Sequence, residues 1–196
     1  MKAVYRSIKP YWLFLILIGK KTIEVGKTFP KADDWNKEVF LHCSKDMKSF
    51  KRIPEKDREW MQKYLGKVAC RFVCDKIYGI TSHFDTPTYP NQYICGWDYG
   101  KEFDCLSFEE LTSYLNGKEG YGWHISDLVI YDKPRKLTDF RYHCRYEFDD
   151  DYKHCEGCYY YYYSNTPSYG IEEYCGCDGL KMLRKPPQSW MYVEVA

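Results

Sequence analysis

The chain has 196 residues and a formal net charge of +1, and a chain of this length normally folds as one domain. Aromatic residues make up 19% of the sequence, with 21 tyrosines, which excludes a disordered chain because disordered segments contain few aromatics. The charge is unevenly spread: residues 1–56 hold 13 Lys or Arg against 6 Asp or Glu, net +7, and residues 144–178 hold 2 against 8, net −6. One interpretation is that both charged segments are ordinary solvated surfaces. The other is that the basic segment contacts an anionic ligand through residues such as Lys9 and Lys20.

In chain order, residues 3–8 alternate as a strand does, and Lys9-Pro10 then begins a predicted helix that Gly19 ends. The apolar run 11–18 within it is too short for a membrane span of about 20 residues. No small-residue cleavage site follows the run, so no export signal is predicted and the chain is expected in the cytoplasm, with no membrane contact. A helix that is apolar on every side is either buried or covered by a partner, and a possible homodimer through residues 11–18 is one such arrangement.

Further along, the patterns predict strands over 21–27, 37–44, 67–80, 121–134 and 189–195, and helices over 54–66 and 106–117. Ser107 and Glu110 have capping-box spacing at the start of the last helix. Strands interrupted by a few helices, without regular βαβ units, predict a single domain over 1–196 with an α+β fold built on a mainly antiparallel β-barrel and flanking helices.

Four blocks carry a resemblance to a known family. They are SIKPYWLFLILIGKKTIEVGKTFP, GKVACRFVCDKI, YGWHISDLVIYDKP and RKPPQSWMYVE. In this order they resemble the bacterial and phage ASCH-domain proteins, and the match covers roughly half of the chain. The resemblance implies a PUA-like β-barrel with a cleft that binds RNA or a nucleotide-like ligand, and in some members hydrolysis.

The family signature places a glycine, a lysine, a glutamate and an arginine at the positions of Gly19, Lys21, Glu24 and residue 26, which is Gly26 in this chain. Strand alternation puts Lys21 and Glu24 on opposite faces unless the turn after Gly19 reorients the lysine. One interpretation is that Lys21 and Glu24 form a surface salt bridge. The other is that they contact a ligand, with the lysine binding a phosphate or acting as a base. The related hydrolases that act on N4-acetylcytidine have a threonine nucleophile at the position of Glu24, and a carboxylate does not replace an alcohol in acyl transfer.

Two further blocks supply candidate ligand contacts. In YGWHIS, Trp123 is predicted to stack on a base, while His124 serves as an acid or base and Ser126 as a hydrogen-bond donor. The plainer interpretation is a core tryptophan beside a half-exposed histidine. In PPQSW, the candidate ligand-binding residues are Gln188, Ser189 and Trp190, although a turn stiffened by proline beside a packed tryptophan accounts for them as well.

The late cysteines are spaced as in structural metal sites. Cys155 and Cys158 form a C-x-x-C, Cys175 and Cys177 form a C-x-C, and Cys144 lies upstream. Two cysteine pairs roughly 15 to 20 residues apart are typical of tetrahedral zinc sites, although free thiols or a redox pair remain alternatives. The sequence therefore predicts a small zinc-binding hairpin insertion over residues 141–180.

Three classes of function follow from these patterns. The first is an RNA- or nucleotide-binding module that uses the GKKTIE, WHIS and PPQSW blocks. The second is a ribonuclease or modified-nucleoside hydrolase in which Lys21, Glu24 and His124 are the catalytic groups, which requires that the three converge. The third is a phage or bacterial protein-interaction factor that uses the acidic, cysteine-rich segment.

Overall fold

The structure, a computed structural model, describes residues 2–30, 37–80, 93–94, 105–116, 118–143 and 180–194. Within these residues the helices are α1 (Pro10–Leu17), α2 (Met47–Phe50), α3 (Glu55–Gln62) and α4 (Phe108–Leu115), with a 3-10 turn at Leu137–Asp139. The strands are β1 (Lys2–Ile8), β2 (Ile23–Gly26), β3 (Glu38–Cys43), β4 (Val68–Val73), β5 (Ile77–Ile80), β6 (Tyr93–Ile94), β7 (Gly120–His124), β8 (Ser126–Arg135), β9 (Arg141–His143), β10 (Leu180–Met182) and β11 (Trp190–Glu194).

The described strands form two sheets. The larger has seven strands in the order β10-β9-β11-β1-β3-β4-β8, and the smaller has four in the order β2-β7-β5-β6. Only the β1/β3 and β5/β6 pairs are parallel among them, so the prediction of a mainly antiparallel α+β fold is confirmed. The expected closed barrel is not formed by the described strands, because the hydrogen-bonded ladder of each sheet ends at an edge strand instead of returning to its first strand.

The two sheets are joined by a bent two-stranded ribbon. The single strand predicted over 67–80 is in fact β4 and β5, with the chain turning between Val73 and Ile77, and β7 and β8 break at the same level. Asp127 there has φ of +45°, which is uncommon for a residue with a side chain. Because β4 pairs with β8 in one sheet and β5 pairs with β7 in the other, the chain changes sheets at this bend, called here the corner.

Helix α1 is packed inside the chain. Pro10 is its first residue, and its side chains Leu13, Phe14, Leu15 and Ile16 are buried in the main core. Ile18, just after the helix, is 41% exposed. Four residues of the apolar run are therefore buried within one chain, while the homodimer through residues 11–18 stays a prediction. No helix among the described residues is long and apolar enough to cross a membrane.

Local signals at the other helices behave as the sequence indicates. The capping box of Ser107 and Glu110 is present at the start of α4, although the helix ends on Asn116 in the left-handed region.

At the far edge of the large sheet, β9 and β10 are antiparallel and pair Arg141 with Met182. The two ends of the predicted 141–180 hairpin are thus joined, while residues 144–179 lie outside the described residues.

Candidate functional site

The turn that ends α1 determines where Lys21 lies. Gly19 has φ of +73°, a conformation that favours glycine, and the backbone N–H groups of Lys20 and Lys21 both donate to the carbonyl oxygen of Leu15. The chain therefore leaves the helix in a tight turn, and Lys21 precedes β2 without being part of it. This turn places Lys21 on the same side as Glu24, which simple alternation from Lys21 would not give.

Lys21 and Glu24 meet Arg6 of β1 in a buried charge cluster. Arg6 Nη2 and Nε lie 3.2 and 3.3 Å from Glu24 Oε1, and Lys21 Nζ lies 3.5 Å from Glu24 Oε2. The cations also donate to the backbone, Arg6 to the carbonyl oxygen of Val25 at 2.6 Å and Lys21 to that of Ile23 at 2.7 Å. All three charged side chains are buried, so each depends on the others to offset lost hydration.

Two tryptophans lie against this charge cluster because of strand register. Trp123 is opposite Glu24 on β7, and Trp190 is opposite Arg6 on β11, and directly opposed residues point to the same face. The Arg6 guanidinium lies 4.8 Å from the centre of the Trp123 ring, a cation–π distance. Trp190 contacts Trp123 edge to face and donates from Nε1 to Thr28 Oγ1 at 2.9 Å.

Two aromatic side chains near the cluster, those of Trp12 and Tyr114, are not among the ligand contacts that the sequence predicts. Trp12 of α1 is close to two cations, with Lys21 Nζ 5.7 Å and the Arg52 guanidinium 4.9 Å from its ring centre. Tyr114 of α4 is exposed, and the Lys27 ammonium lies 5.2 Å from its ring centre. The pKa of Tyr114 is raised, mainly by burial; the Arg6 charge lowers it and the Glu24 charge raises it. The Tyr114 hydroxyl therefore lies close to the charge cluster.

Trp123 does not fit the predicted stacking role. Its side chain is 0% exposed, and Trp190 and Arg6 contact it. A base needs a free ring face to stack on, and the buried Trp123 ring offers none. The core interpretation of this residue is therefore correct.

His124 and Ser126 also differ from the prediction, since they stabilise the corner and do not line the charge cluster. His124 is opposite Ile23, so it lies on the other face of the small sheet from Glu24. Its Nδ1 is 2.6 Å from Asp75 Oδ1, and Ser126 Oγ donates to the carbonyl oxygen of Val73 at 2.8 Å. Burial would raise the pKa of Asp75, but the hydrogen bond and charge of His124 outweigh it and lower this pKa. The catalytic set of Lys21, Glu24 and His124 is therefore not assembled.

The remaining predicted ligand contacts lie at the surface. Lys9 pairs loosely with Asp46, with 3.8 Å between Nζ and Oδ2. Lys20, Gln188 and Ser189 are exposed. The carbonyl oxygen of Ser189 accepts from the backbone N–H of Ser7, which fixes the chain just before Trp190.

The predicted metal ligands cannot be placed. All five of them lie outside the described residues: Cys144, Cys155, Cys158, Cys175 and Cys177. The described residues contain no group of three or more His, Cys, Asp or Glu arranged to hold a metal ion.

Arg6 is the main residue that sequence reasoning missed, although a signal was present. In β1, Val4, Arg6 and Ile8 share one face, and Val4 and Ile8 belong to the main core. An arginine between two core positions on one strand face needs a buried partner. Which partner it finds depends on β2, eighteen residues further along the chain.

Comparison with solved structures agrees with the fold described above. Two single-substitution variants of the ASCH protein from Zymomonas mobilis match at a TM-score of 0.51 and 13% sequence identity, over 97% of this chain and 87% and 89% of theirs. No protein-family model matches the sequence, and no curated protein matches it. The match supports the ASCH resemblance seen in the four sequence blocks, and at this identity it concerns the fold alone. The chain has the fold of the ASCH proteins.

Proposed function

We propose that this chain is an RNA- or nucleotide-binding module of the ASCH type, with its ligand site at the buried charge cluster of Arg6, Lys21 and Glu24. One observation carries the proposal: a guanidinium and an ammonium from two separate segments share one carboxylate, and the guanidinium lies against Trp123. Assembling buried charges is costly, and a site prepared in this way has donors already oriented for phosphate or for the polar edge of a base.

The surroundings of the charge cluster support binding. Trp12 and Trp190 are only partly buried, so each keeps some aromatic surface on which a base can stack. Lys9 and Lys20 add exposed positive charge in the same N-terminal segment, which attracts a polyanion over distances of about a Debye length. Gln188 and Ser189, just before Trp190, supply exposed polar groups at the rim.

The test is direct binding of purified protein to short single-stranded RNA, to single-stranded DNA and to a nucleoside panel. Lys21→Met is compared with Lys20→Met, because each removes one charge from adjacent positions, one buried and one exposed. We expect the Lys21 variant to lose binding and the Lys20 variant to keep most of it. For RNA, affinity should fall steeply as salt rises. Equal binding by both variants and the parent protein would refute the site.

A hydrolase acting on RNA or modified nucleosides is the second candidate, and the close pair of Lys21 Nζ and Glu24 Oε2 favours it. A general acid or base must reach its proton within about 3 Å or through one water. His124 lies on the other face of the sheet, so this activity would depend on Lys21 and Glu24. The same mixtures are therefore assayed for breakdown products, and turnover lost in the Lys21 variant would establish an enzyme.

A protein-interaction factor is the third candidate, and its acidic segment over 144–178 lies outside the described residues. Absence of both binding and turnover in the parent protein would direct attention to this segment.

A further inference from the structure

Two buried hydrogen-bond donors of the site have no acceptor. Arg6 Nη1 and Trp123 Nε1 are both inaccessible to solvent and lack a hydrogen-bond partner, in residues that are 3% and 0% exposed. An unsatisfied buried donor costs about 1–3 kcal/mol, so native proteins rarely keep one, and two at one place indicate that an acceptor belongs there. Arg6 donates to Glu24 through Nε and Nη2, so its Nη1 takes no part in this ion pair.

Both nitrogens lie beside Gly26. A Cβ atom added to this glycine would lie 2.9 Å from Trp123 Nε1, 3.1 Å from Arg6 Nη1 and 3.0 Å from the carbonyl oxygen of Thr28. Gly26 has no left-handed φ that would demand glycine, so the close approach of the two nitrogens is what favours a residue without a side chain here.

The chemistry of the donors indicates the acceptor. A guanidinium N–H bonds most strongly to an anionic oxygen, and an indole N–H only donates. A phosphate group presents several acceptor oxygens and carries no competing donor when ionised. Tyr114 is exposed and lies near Arg6 and Glu24.

We propose that a phosphate group of the ligand binds beside Gly26 and accepts hydrogen bonds from Arg6 Nη1 and Trp123 Nε1, after Tyr114 turns outward. This inference rests on the proposed function, since it names which part of a nucleotide enters the site. It makes Gly26 a specificity-determining position, because any side chain there presses on both donors.

The first test follows the Trp123 indole N–H by NMR on ¹⁵N-labelled protein. The resonance is assigned by its loss in Trp123→Phe, and the probes are uridine 5′-monophosphate, inorganic phosphate and uridine. We expect the indole signal to move downfield with both phosphate-bearing probes and to stay in place with uridine. An equal response to uridine would overturn the proposal in favour of a base carbonyl.

The second test compares Gly26→Ala with Gly122→Ala. Gly122 is the control, because a Cβ there would also meet a close contact, 2.8 Å from Ile23 Cγ2, but on the opposite face of the same sheet. We expect Gly26→Ala to weaken binding of uridine 5′-monophosphate by about tenfold or more, with Gly122→Ala within about twofold of the parent protein and both variants folded by thermal melting. Equal losses would overturn the proposal.

The two proposals fail in different ways. If RNA binds through Lys21 while the Trp123 indole signal does not move, the phosphate pocket is wrong and the proposed function stands. If neither RNA nor any nucleotide binds the parent protein, both are wrong.

Discussion

The protonation of His42 gives the sharpest quantitative test of the structure. His42 is on β3, 2% exposed, stacked on Tyr5 at 5.8 Å between ring centres. Both of its ring nitrogens lack a hydrogen-bond partner. Burial lowers the pKa of His42 from 6.5 to about 4, the backbone of Gly66 opposes part of this change and the charge of Lys45 adds to it. The native state therefore holds this histidine neutral.

The sign and size of the effect follow from linkage. Between pH 6.5 and pH 4 the unfolded chain binds a proton at this residue and the folded chain does not, so stability falls as the pH falls. The difference of about 2.5 pH units corresponds to about 3 kcal/mol over the whole window, at about 1.4 kcal/mol per unit. Between pH 6.5 and pH 5 alone the expected loss is about 2 kcal/mol.

The assay is urea unfolding followed by tryptophan fluorescence, at several pH values between 7.5 and 4.5, for the parent protein and for His42→Phe. Phenylalanine keeps a ring against Tyr5 and removes the titrating group, so subtracting the two curves isolates His42 from all other groups. We expect the parent protein to lose about 2 kcal/mol more than the variant between pH 6.5 and pH 5. Parallel curves would show that His42 is not held neutral, and the reasoning would be refuted.

Further predictions concern the charge cluster, the metal and the oligomeric state. Glu24→Gln should lower the free energy of unfolding by about 3–5 kcal/mol, because it leaves two buried cations without their carboxylate. The control Glu110→Gln breaks the more exposed pair with Arg52 and should lower this free energy by under about 1 kcal/mol. Similar losses in both variants would contradict the buried cluster. The cysteine spacing predicts about one structural zinc per chain in reducing buffer, lost in a Cys155→Ser/Cys158→Ser variant, and elemental analysis without stoichiometric zinc would reject it. The homodimer prediction is checked by sedimentation velocity: a dimer should dissociate on Ile18→Lys, and a strict monomer leaves only packing within the chain.

The charge cluster shows how far sequence reasoning reaches. Lys21 and Glu24 are in contact, whereas period-two alternation predicts opposite faces, because alternation does not include the turn that Gly19 makes after α1. The sequence block that contains Trp123 also assigns His124 to this site, yet adjacent residues of a strand point to opposite faces. Asp75, its actual partner, lies in the three-residue link at the corner, where no periodic pattern marks it.

The amino-acid sequence by itself determined the local elements of this protein. Alternation, the proline that begins α1, the glycine that ends it and the Ser107 capping box are short-range signals, since each acts within about one turn or a few strand residues. The tertiary structure alone decided the bend that divides the strands into two sheets. It also decided the contact between Arg6 and Gly26, twenty positions apart, because that contact depends on β1 and β2 being brought together by the packing of α1.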